Sequence, residues 1–364
     1  MKELTLREKI GQMIIIKIFG KELSEDAKKM IEEYKIGGVI LYRKNYDSYD
    51  EMLKLINKIK KINKEAGNVP LFISIDQEGG RVNRMPHEIK NLKSAGKLVR
   101  SNDENVVKAA GRVTANMLKN SGFNMDYAPV LDIQRFDDAH AIGDRCYGKN
   151  AEDVSKNGIM IMKELAMGGV IPVIKHFPGH GATNKDSHFF LPVINKKIGE
   201  LEADDLIPFK RAIGQGAEAI MVGHLVIKDV DNRNPASLSK KVINEYLRDK
   251  YQYNGIIMTD DFKMRAISFR YGYTRAAVKA FDAGADIIMI GTSYHTVIKV
   301  IKKIEKNVKS KKLNIEKIDK SVNRIMNLKT KYAITDEPVN GCNIEKINKL
   351  INSINEKIQD KIQA

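Results

Sequence analysis

The sequence predicts an α/β fold, a single (β/α)8 barrel, because eight short apolar runs alternate with helical patterns. The runs are almost continuously apolar, which is typical of strands buried on both faces. Several of the intervening helical segments end at glycine, a common helix stop. A doubly wound sheet is the alternative, but it would need a G-x-G-x-x-G phosphate-binding fingerprint, which is not found. The runs occupy residues 13–20, 37–44, 71–80, 124–133, 170–179, 219–227, 255–262 and 285–291.

The excess positive charge is concentrated toward the end of the chain. Of a net charge of +16 over 364 residues, half lies in residues 296–364, which hold 16 Lys and Arg against 8 Asp and Glu. Lys alternates there with Ile and Asn, which indicates amphipathic helices with a solvated Lys face. Without a basic stripe or an aromatic platform, no nucleic-acid partner is expected. We predict a catalytic domain over residues 1–332 and a helical extension over residues 333–364, in a monomer or weak homodimer.

Cysteine usage and the N-terminus bear on the compartment. Cys146 and Cys342 are too few for a disulfide framework, which fits a reducing environment. Charged residues precede the first apolar run, no small-residue cleavage site follows it, and no run has the length of a membrane span. A cytoplasmic location without a membrane partner is therefore expected.

Polar side chains follow the strand candidates at their C-terminal ends. Asp76, Asp132, Lys175 with His176, and Asp260 occupy these positions. A barrel gathers such residues at one mouth, where barrel enzymes carry out their chemistry. His224 also follows a strand, and it could either line the pocket or be a hydrogen-bonded core histidine.

The segment VIKHFPGHGATNKDSHFFL, residues 173–191, concentrates titratable groups in a loop rich in glycine. Asp186 and His188 are separated by one serine, so the carboxylate could orient the imidazole and raise its basicity. This arrangement is typical of a histidine that transfers protons. The alternative is a surface loop that forms a local turn.

A metal site is the competing interpretation of two histidines in the same segment. His176 and His180 have the i, i+4 spacing of zinc ligands on a helix. Pro178 and Gly179 disfavour a helix there, and the sequence has no HExxH motif. We therefore expect no metal and no cofactor.

The segment KHFPGHG…DSH resembles the family 3 glycoside hydrolases, specifically the β-N-acetylhexosaminidases of peptidoglycan recycling. Three further segments agree in order and separation: IDQEGGRVNR (75–84), IGDRCYG (142–148) and GIIMTDDFKM (255–264). The resemblance covers residues 1 to about 330. Ala182 departs from the family pattern, which more often has Asp after HG, and Cys146 is unusual after the arginine.

The resemblance assigns roles to eight residues of this chain. It implies that Asp260 is the catalytic nucleophile, that His188 is the general acid/base and that Asp186 is its partner. It further implies that five residues bind the N-acetylglucosamine: Asp76, Arg84, Arg145, Lys175 and His176. From the residues alone, Arg145 could instead form an ion pair with Asp144 or Asp132.

The implied activity is that of a retaining exo-β-N-acetylglucosaminidase. Its expected substrate is a small carbohydrate, a peptidoglycan fragment such as GlcNAc-MurNAc or a muropeptide with terminal β-linked GlcNAc. The aromatic fraction of 7%, without Trp, disfavours a long stacking groove and favours a pocket for one terminal sugar.

Three alternatives remain at this point. A phosphorylase could use the same residues, because a histidine acid/base would not repel an incoming phosphate. A β-glucosidase or β-xylosidase of the same broad family is disfavoured by the DSH segment. A catalytically silent sugar-binding protein on a barrel scaffold is the alternative from another class.

Overall fold

Eight parallel strands close into a barrel in the computed structural model, which describes residues 3–135, 142–182 and 191–363. Around the barrel the strands follow the order β1-β10-β9-β7-β5-β4-β3-β2, as numbered below. Each apolar run identified in the sequence contains one barrel strand, so the predicted (β/α)8 fold is confirmed. The described residues form β1 (Ile14–Lys17), β2 (Gly38–Ile40), β3 (Phe72–Ile75), β4 (Met125–Asp126), β5 (Ile171–Phe177), β6 (Val193–Ile194), β7 (Ala219–Val222), β8 (Val226–Ile227), β9 (Ile256–Asp261) and β10 (Ile287–Ile290).

A small parallel sheet outside the barrel was not predicted. β6 pairs with β8 through Val193 opposite Val226 and Ile194 opposite Ile227. The 219–227 run therefore supplies two strands, β7 in the barrel and β8 in this sheet. The pairing fixes the chain just after residue 190 beside the segment that follows β7.

Helices surround the barrel and cover the outward faces of its strands. None of the helices formed by the described residues has both the length and the apolar character needed to cross a bilayer. One of them, Lys241–Lys250, is a π-helix. The α-helices are α1 (Leu6–Gln12), α2 (Glu25–Glu32), α3 (Tyr49–Glu65), α4 (Ala95–Arg100), α5 (Glu104–Asn120), α6 (Ala151–Met167), α7 (Ile198–Glu202), α8 (Ile207–Gly214), α9 (Arg265–Ser268), α10 (Tyr273–Ala283), α11 (Tyr294–Lys309), α12 (Ile315–Lys331) and α13 (Ile344–Gln363).

Polar caps fix where several of these helices begin. Ser24, Ser48, Asp103 and Asn150 precede α2, α3, α5 and α6, and each side chain accepts a hydrogen bond from a backbone N–H of the first turn. Those N–H groups have no partner within the helix, so each cap contributes about 1 kcal/mol. The caps set the lengths of the loops that carry the chain from strand to helix.

The barrel strands are apolar along their length because both of their faces are covered. Ile14, Ile15 and Ile16 of β1 are all fully buried, although neighbouring side chains point to opposite faces. The next residue, Lys17, is the first polar one and ends the strand. The change from apolar to polar side chains therefore marks the level at which the packed barrel interior ends and the mouth begins.

The C-terminal helix α13 packs on α4 and α5 at the outside of the barrel. Ile347, Ile351, Ile354 and Ile358 form its buried face at helical spacing. The extension is therefore a helix on the barrel, while the domain boundary at residue 332 remains a prediction.

α13 also holds the loop of residues 88–93. Asn348 accepts a hydrogen bond from the Lys90 N–H and donates one to the Glu88 carbonyl, and Asn355 contacts Lys93 and Asn91 in the same way.

The 88–93 loop also contacts the tight turn at Gly79–Gly80. The Asn91 side chain donates to the Gly80 carbonyl, and the Gly80 N–H donates to the Leu92 carbonyl. Gly80 has φ +56°, and a Cβ there would lie 2.9 Å from the Ser94 Cα, so a larger residue would break this contact. A peripheral helix is thus linked through one loop to the turn that follows β3.

Replacing both Asn348 and Asn355 with Ala should loosen this loop. Loss of their hydrogen bonds should lower the free energy of unfolding by about 1–2 kcal/mol, because each bond is partly solvated. Amide hydrogen exchange over residues 79–93 should accelerate. The exposed Asn352→Ala in the same helix is the matched control for helix propensity. Unchanged exchange in the double variant would contradict the role of α13.

Candidate active site

A cavity of about 840 Å³ opens at the C-terminal ends of the barrel strands. Every barrel strand contributes to its wall, either with its last residues or with the residues just after it. This is the mouth that the sequence predicted from the positions of polar residues. In strand order around the chain, the wall includes Lys17, Tyr42, Asp76, Tyr127, Lys175, Met221, Asp260 and Met289.

A buried carboxylate, Glu78, joins two of the predicted sugar-binding cations. Its Oε1 lies 2.6 Å from the Lys175 Nζ and 2.8 Å from the Arg145 Nη2, and its Oε2 lies 2.7 Å from the Arg145 Nε. Lys175 Nζ lies 2.8 Å from Asp76 Oδ1 as well. The four side chains form one continuous chain of opposite charges, which we call the Glu78 network.

Electrostatics hold the Glu78 network in its charged form. Burial would raise the pKa of Glu78, but the charges of Lys175 and Arg145 outweigh it and hold that pKa well below its usual range. Burial would likewise lower the pKa of Lys175, but Asp76 and Glu78 raise it overall. Fixed charges of this kind offer preoriented donors and acceptors to a polar ligand.

Glu78 was missed in the sequence, although it lies inside the quoted segment IDQEGGRVNR. Arg145 pairs with Glu78, so pairing with Asp144 or Asp132 is not the arrangement found. Glu78 could have been predicted on chemical grounds, because a Lys and an Arg that share one buried site need a carboxylate between them. Glu78 is held in place because its N–H donates to the Val82 carbonyl across the Gly79–Gly80 turn.

A second buried carboxylate, Asp132, orients His176. Its Oδ2 lies 2.7 Å from the His176 Nδ1, and its Oδ1 accepts a hydrogen bond of 2.6 Å from the His180 N–H. Burial would raise the pKa of Asp132, but His176 lowers it overall. Burial and then the charge of His176 lower the pKa of His180. Asp132 therefore fixes one imidazole at the cavity wall and the start of the next turn.

The zinc-helix alternative for His176 and His180 is not the geometry found. His176 lies in β5 and His180 begins a short 3-10 turn, so the two are not on one helical face. Within the described residues, no group of three His, Cys, Asp or Glu side chains is arranged to hold a metal ion.

The two adjacent aspartates at the end of β9 have different environments. Both reach the cavity wall, and Asp260 Oδ1 accepts a hydrogen bond from the Asp261 N–H. Asp261 accepts hydrogen bonds from the backbone N–H groups of Lys263 and Gly291, and burial raises its pKa to about 6. A Cβ at Gly291 would lie 2.1 Å from the Asp261 carboxylate, so glycine is needed there.

His224 belongs to the structural support of β9. It is fully buried, its Nδ1 lies 2.7 Å from the Ser237 Oγ, and its Nε2 donates to the Asp261 carbonyl at 3.2 Å. Of the two possibilities left by the sequence, the hydrogen-bonded core histidine is the one found.

Arg84 reaches the same cavity from the loop after β3. Its backbone is held on both sides, because its N–H donates to the Gln77 side chain and its carbonyl accepts from the Tyr46 hydroxyl. Its guanidinium carbon lies 5.9 Å from the centre of the Tyr42 ring. The buried Nε has no hydrogen-bond partner among the described residues, so a ligand oxygen could supply one.

The predicted site residues fall into two groups. The structure brings six of them to the cavity: Asp76, Arg84, Arg145, Lys175, His176 and Asp260. The predicted acid/base pair, Asp186 and His188, lies outside the described residues. The roles of all eight stay predictions.

Known proteins similar in sequence show the family to which the chain belongs. The model of the glycosyl hydrolase family 3 N terminal domain matches residues 5–328. The β-hexosaminidase of Tolumonas auensis is 32% identical over 279 residues, which cover 76% of this chain and 81% of the relative. The β-hexosaminidase LpqI of Mycobacterium tuberculosis is 31% identical over 333 residues, covering 90% and 83%.

The fold is also shared with a solved structure. A glycoside hydrolase family 3 β-N-acetylglucosaminidase from Paenibacillus sp. str. FPU-7 superposes with a TM-score of 0.91 and is 35% identical. The match covers 98% of this chain and 69% of that one. The family match spans most of the chain, and the barrel gathers the motif residues at one cavity. The chain therefore belongs to glycosyl hydrolase family 3, as its motifs predicted, and is a glycoside hydrolase.

Proposed function

We propose that the protein is a retaining exo-β-N-acetylhexosaminidase that removes terminal β-linked GlcNAc from peptidoglycan fragments such as GlcNAc-MurNAc and muropeptides. The observation that carries this proposal is the cavity, which sets Asp260 on β9 across from the Glu78 network on β3 to β5. The relatives that carry the name β-hexosaminidase support the acetamido sugar.

Recognition of the sugar would rest on the Glu78 network. Asp76 offers carboxylate oxygens to sugar hydroxyls, while Lys175 and Arg145 donate to hydroxyls or to the acetamido carbonyl. Because the ion pairs already hold these side chains, little conformational entropy is lost when the sugar binds. His176, oriented by Asp132, adds a further polar group at the wall.

Chemistry would proceed through a glycosyl-enzyme ester. An Asp260 carboxylate oxygen attacks C1 while the C1–O bond to the leaving sugar breaks, and His188 gives that oxygen its proton. Water then attacks C1, the ester bond breaks, and Asp260 recovers its charge while His188 takes the proton from water. Asp186 would orient His188, and its negative charge would favour the protonated imidazole.

A phosphorylase is the second candidate. The cavity wall holds nine Lys and Arg side chains among the described residues but only four Asp and Glu, so an incoming phosphate would meet an attractive field. Turnover in phosphate compared with a non-nucleophilic buffer separates the two reactions, because only phosphorolysis yields a sugar 1-phosphate.

The nucleophile is tested with p-nitrophenyl β-N-acetylglucosaminide beside the β-glucoside. Release only from the acetamido sugar is expected, and Asp260→Asn should lower it at least about a thousand-fold. Asp261→Asn is the matched control: its amide oxygen can still accept the backbone N–H groups of Lys263 and Gly291, so turnover should remain measurable. Equal losses in both variants would contradict the assignment to Asp260.

The acid/base role of His188 gives a second prediction. His188→Ala should lower the rate by about 10²–10⁴-fold on GlcNAc-MurNAc. The loss should be smaller on the aryl glycoside, because its leaving group needs no proton. With that substrate the ester should accumulate, and intact-mass and peptide analysis should locate one N-acetylhexosaminyl group on Asp260. Equal losses on both substrates would exclude His188 as the acid.

Glu78→Gln tests the network. Neutralising Glu78 leaves Lys175 and Arg145 short of a buried partner, so the free energy of unfolding should fall by about 3–5 kcal/mol. KM should rise because the two cations are no longer held in place. Glu345→Gln, in an exposed pair with Lys349, is the control and should change neither quantity. A stable variant with unchanged KM would show that the network does not position the sugar.

A further inference from the structure

The floor of the cavity contains a lysine that has no carboxylate partner among the described residues. Lys17 ends β1, is only 6% exposed and lines the cavity. Its Nζ lies 5.1 Å from the ring centres of Phe19 and Tyr42. These aromatic faces attract the cation but cannot neutralise it, and burial of an ammonium group without a partner is costly.

Two more lysines converge on the same corner. Lys44 follows β2, Lys263 follows β9, and both line the cavity. The charges of Lys44 and Lys263 both act on the Lys17 amine. Burial first, and then these neighbours, lower the pKa of Lys17 to about 8, although the charge of Asp261 acts in the opposite direction. We call Lys17, Lys44 and Lys263 the lysine corner.

The carboxylates of the described cavity wall have other hydrogen-bond partners, although the charge of Asp261 also acts on Lys17 and Lys263. Glu78 and Asp76 pair with Lys175, and Asp261 accepts two backbone N–H groups. Asp260 is the proposed nucleophile, and it lies on the same strand end as Asp261. Neutral sugar hydroxyls would therefore leave the lysine corner with an excess of positive charge.

We propose that the lysine corner binds an anionic substituent, a phosphate monoester, on the terminal sugar of the substrate. This rests on the proposed function and narrows its substrate class. Three ammonium groups suit a dianion, since lysine binds phosphate as a point charge and the bond is charge-assisted. Lys17 also lies opposite Ile40, at the level of the strand ends. In the proposed exo-acting enzyme, the terminal sugar would occupy this depth and the leaving group would face the mouth.

The experiment compares p-nitrophenyl β-N-acetylglucosaminide with its 6-phosphate. The 6-phosphate should have a kcat/KM at least about 10-fold higher, as expected for one charge-assisted hydrogen bond or more. The ratio of the kcat/KM for the 6-phosphate to that for the neutral glycoside should fall about 10-fold or more in Lys17→Met and in Lys263→Ala. The exposed Lys303→Met is the control that should keep it. Lys263 lies in an exposed loop, so its variant tests the corner even if Lys17→Met does not fold.

A binding measurement separates this inference from the proposed function. The dissociation constants of GlcNAc and GlcNAc 6-phosphate are measured on Asp260→Asn. Tighter binding of the phosphorylated sugar, lost in Lys17→Met, supports the lysine corner even if neither glycoside is turned over. Efficient turnover of the neutral glycoside without any preference for the 6-phosphate overturns the inference and leaves the hexosaminidase intact.

Two further results would overturn it. Inorganic phosphate could stimulate turnover and yield a sugar 1-phosphate, with no preference for the phosphorylated sugar. The lysine corner would then bind the phosphate that accepts the glycosyl group. If lysine-dependent preference appears only for GlcNAc linked to a lactyl-bearing sugar, the anion lies in the leaving group.

Discussion

The ion-pair chain through Glu78 is the interaction on which the site depends. Two cations from different parts of the chain, Lys175 on β5 and Arg145 after β4, meet one buried carboxylate from the loop after β3. Burial of these charges is unfavourable by itself, and only their close pairing makes it tolerable. The network therefore rigidly fixes three segments at the barrel mouth, because any separation would leave a buried charge without its partner.

The two sides of the cavity differ in how their charges are balanced. On the β3 to β5 side, each cation of the Glu78 network has a carboxylate within hydrogen-bonding distance. On the side of β1, β2 and β9, the lysine corner has aromatic faces and other lysines as neighbours, and Asp261 is the carboxylate whose charge acts on Lys17. The charges of the first side are already paired, so it suits a neutral polar ligand. The second side has excess positive charge, so it would bind a negatively charged ligand more tightly. A single sugar with one anionic substituent would satisfy both.

Support for the site extends to the periphery of the fold. The Gly79–Gly80 turn that holds Glu78 contacts the 88–93 loop, and Asn348 and Asn355 of α13 hold that loop. The sequence predicted a solvated Lys face for the basic C-terminal extension. The extension also has a structural task, because its buried face packs on the barrel and its Asn348 and Asn355 side chains hold the 88–93 loop. The charged side chains lie on its exposed face and take no part in that task.

Local patterns in the sequence were enough to predict the barrel and the strand that carries Asp260. Apolar runs and their polar ends are local patterns, and a parallel sheet buried on both faces imposes them directly on the chain. The sequence also identified six residues that line one cavity, through short motifs that lie at strand ends.

Which charges meet depends on how the chain folds in three dimensions. Glu78 became visible as the link between Lys175 and Arg145, His224 as a core support, and Lys17 as a neighbour of Lys44 and Lys263. The short β6–β8 pair and the hydrogen bonds from α13 to the 88–93 loop were likewise not predicted from the sequence. These contacts join residues far apart in sequence, and no local periodicity records them. Closing the barrel creates them, because it brings the ends of strands from the whole chain around one opening.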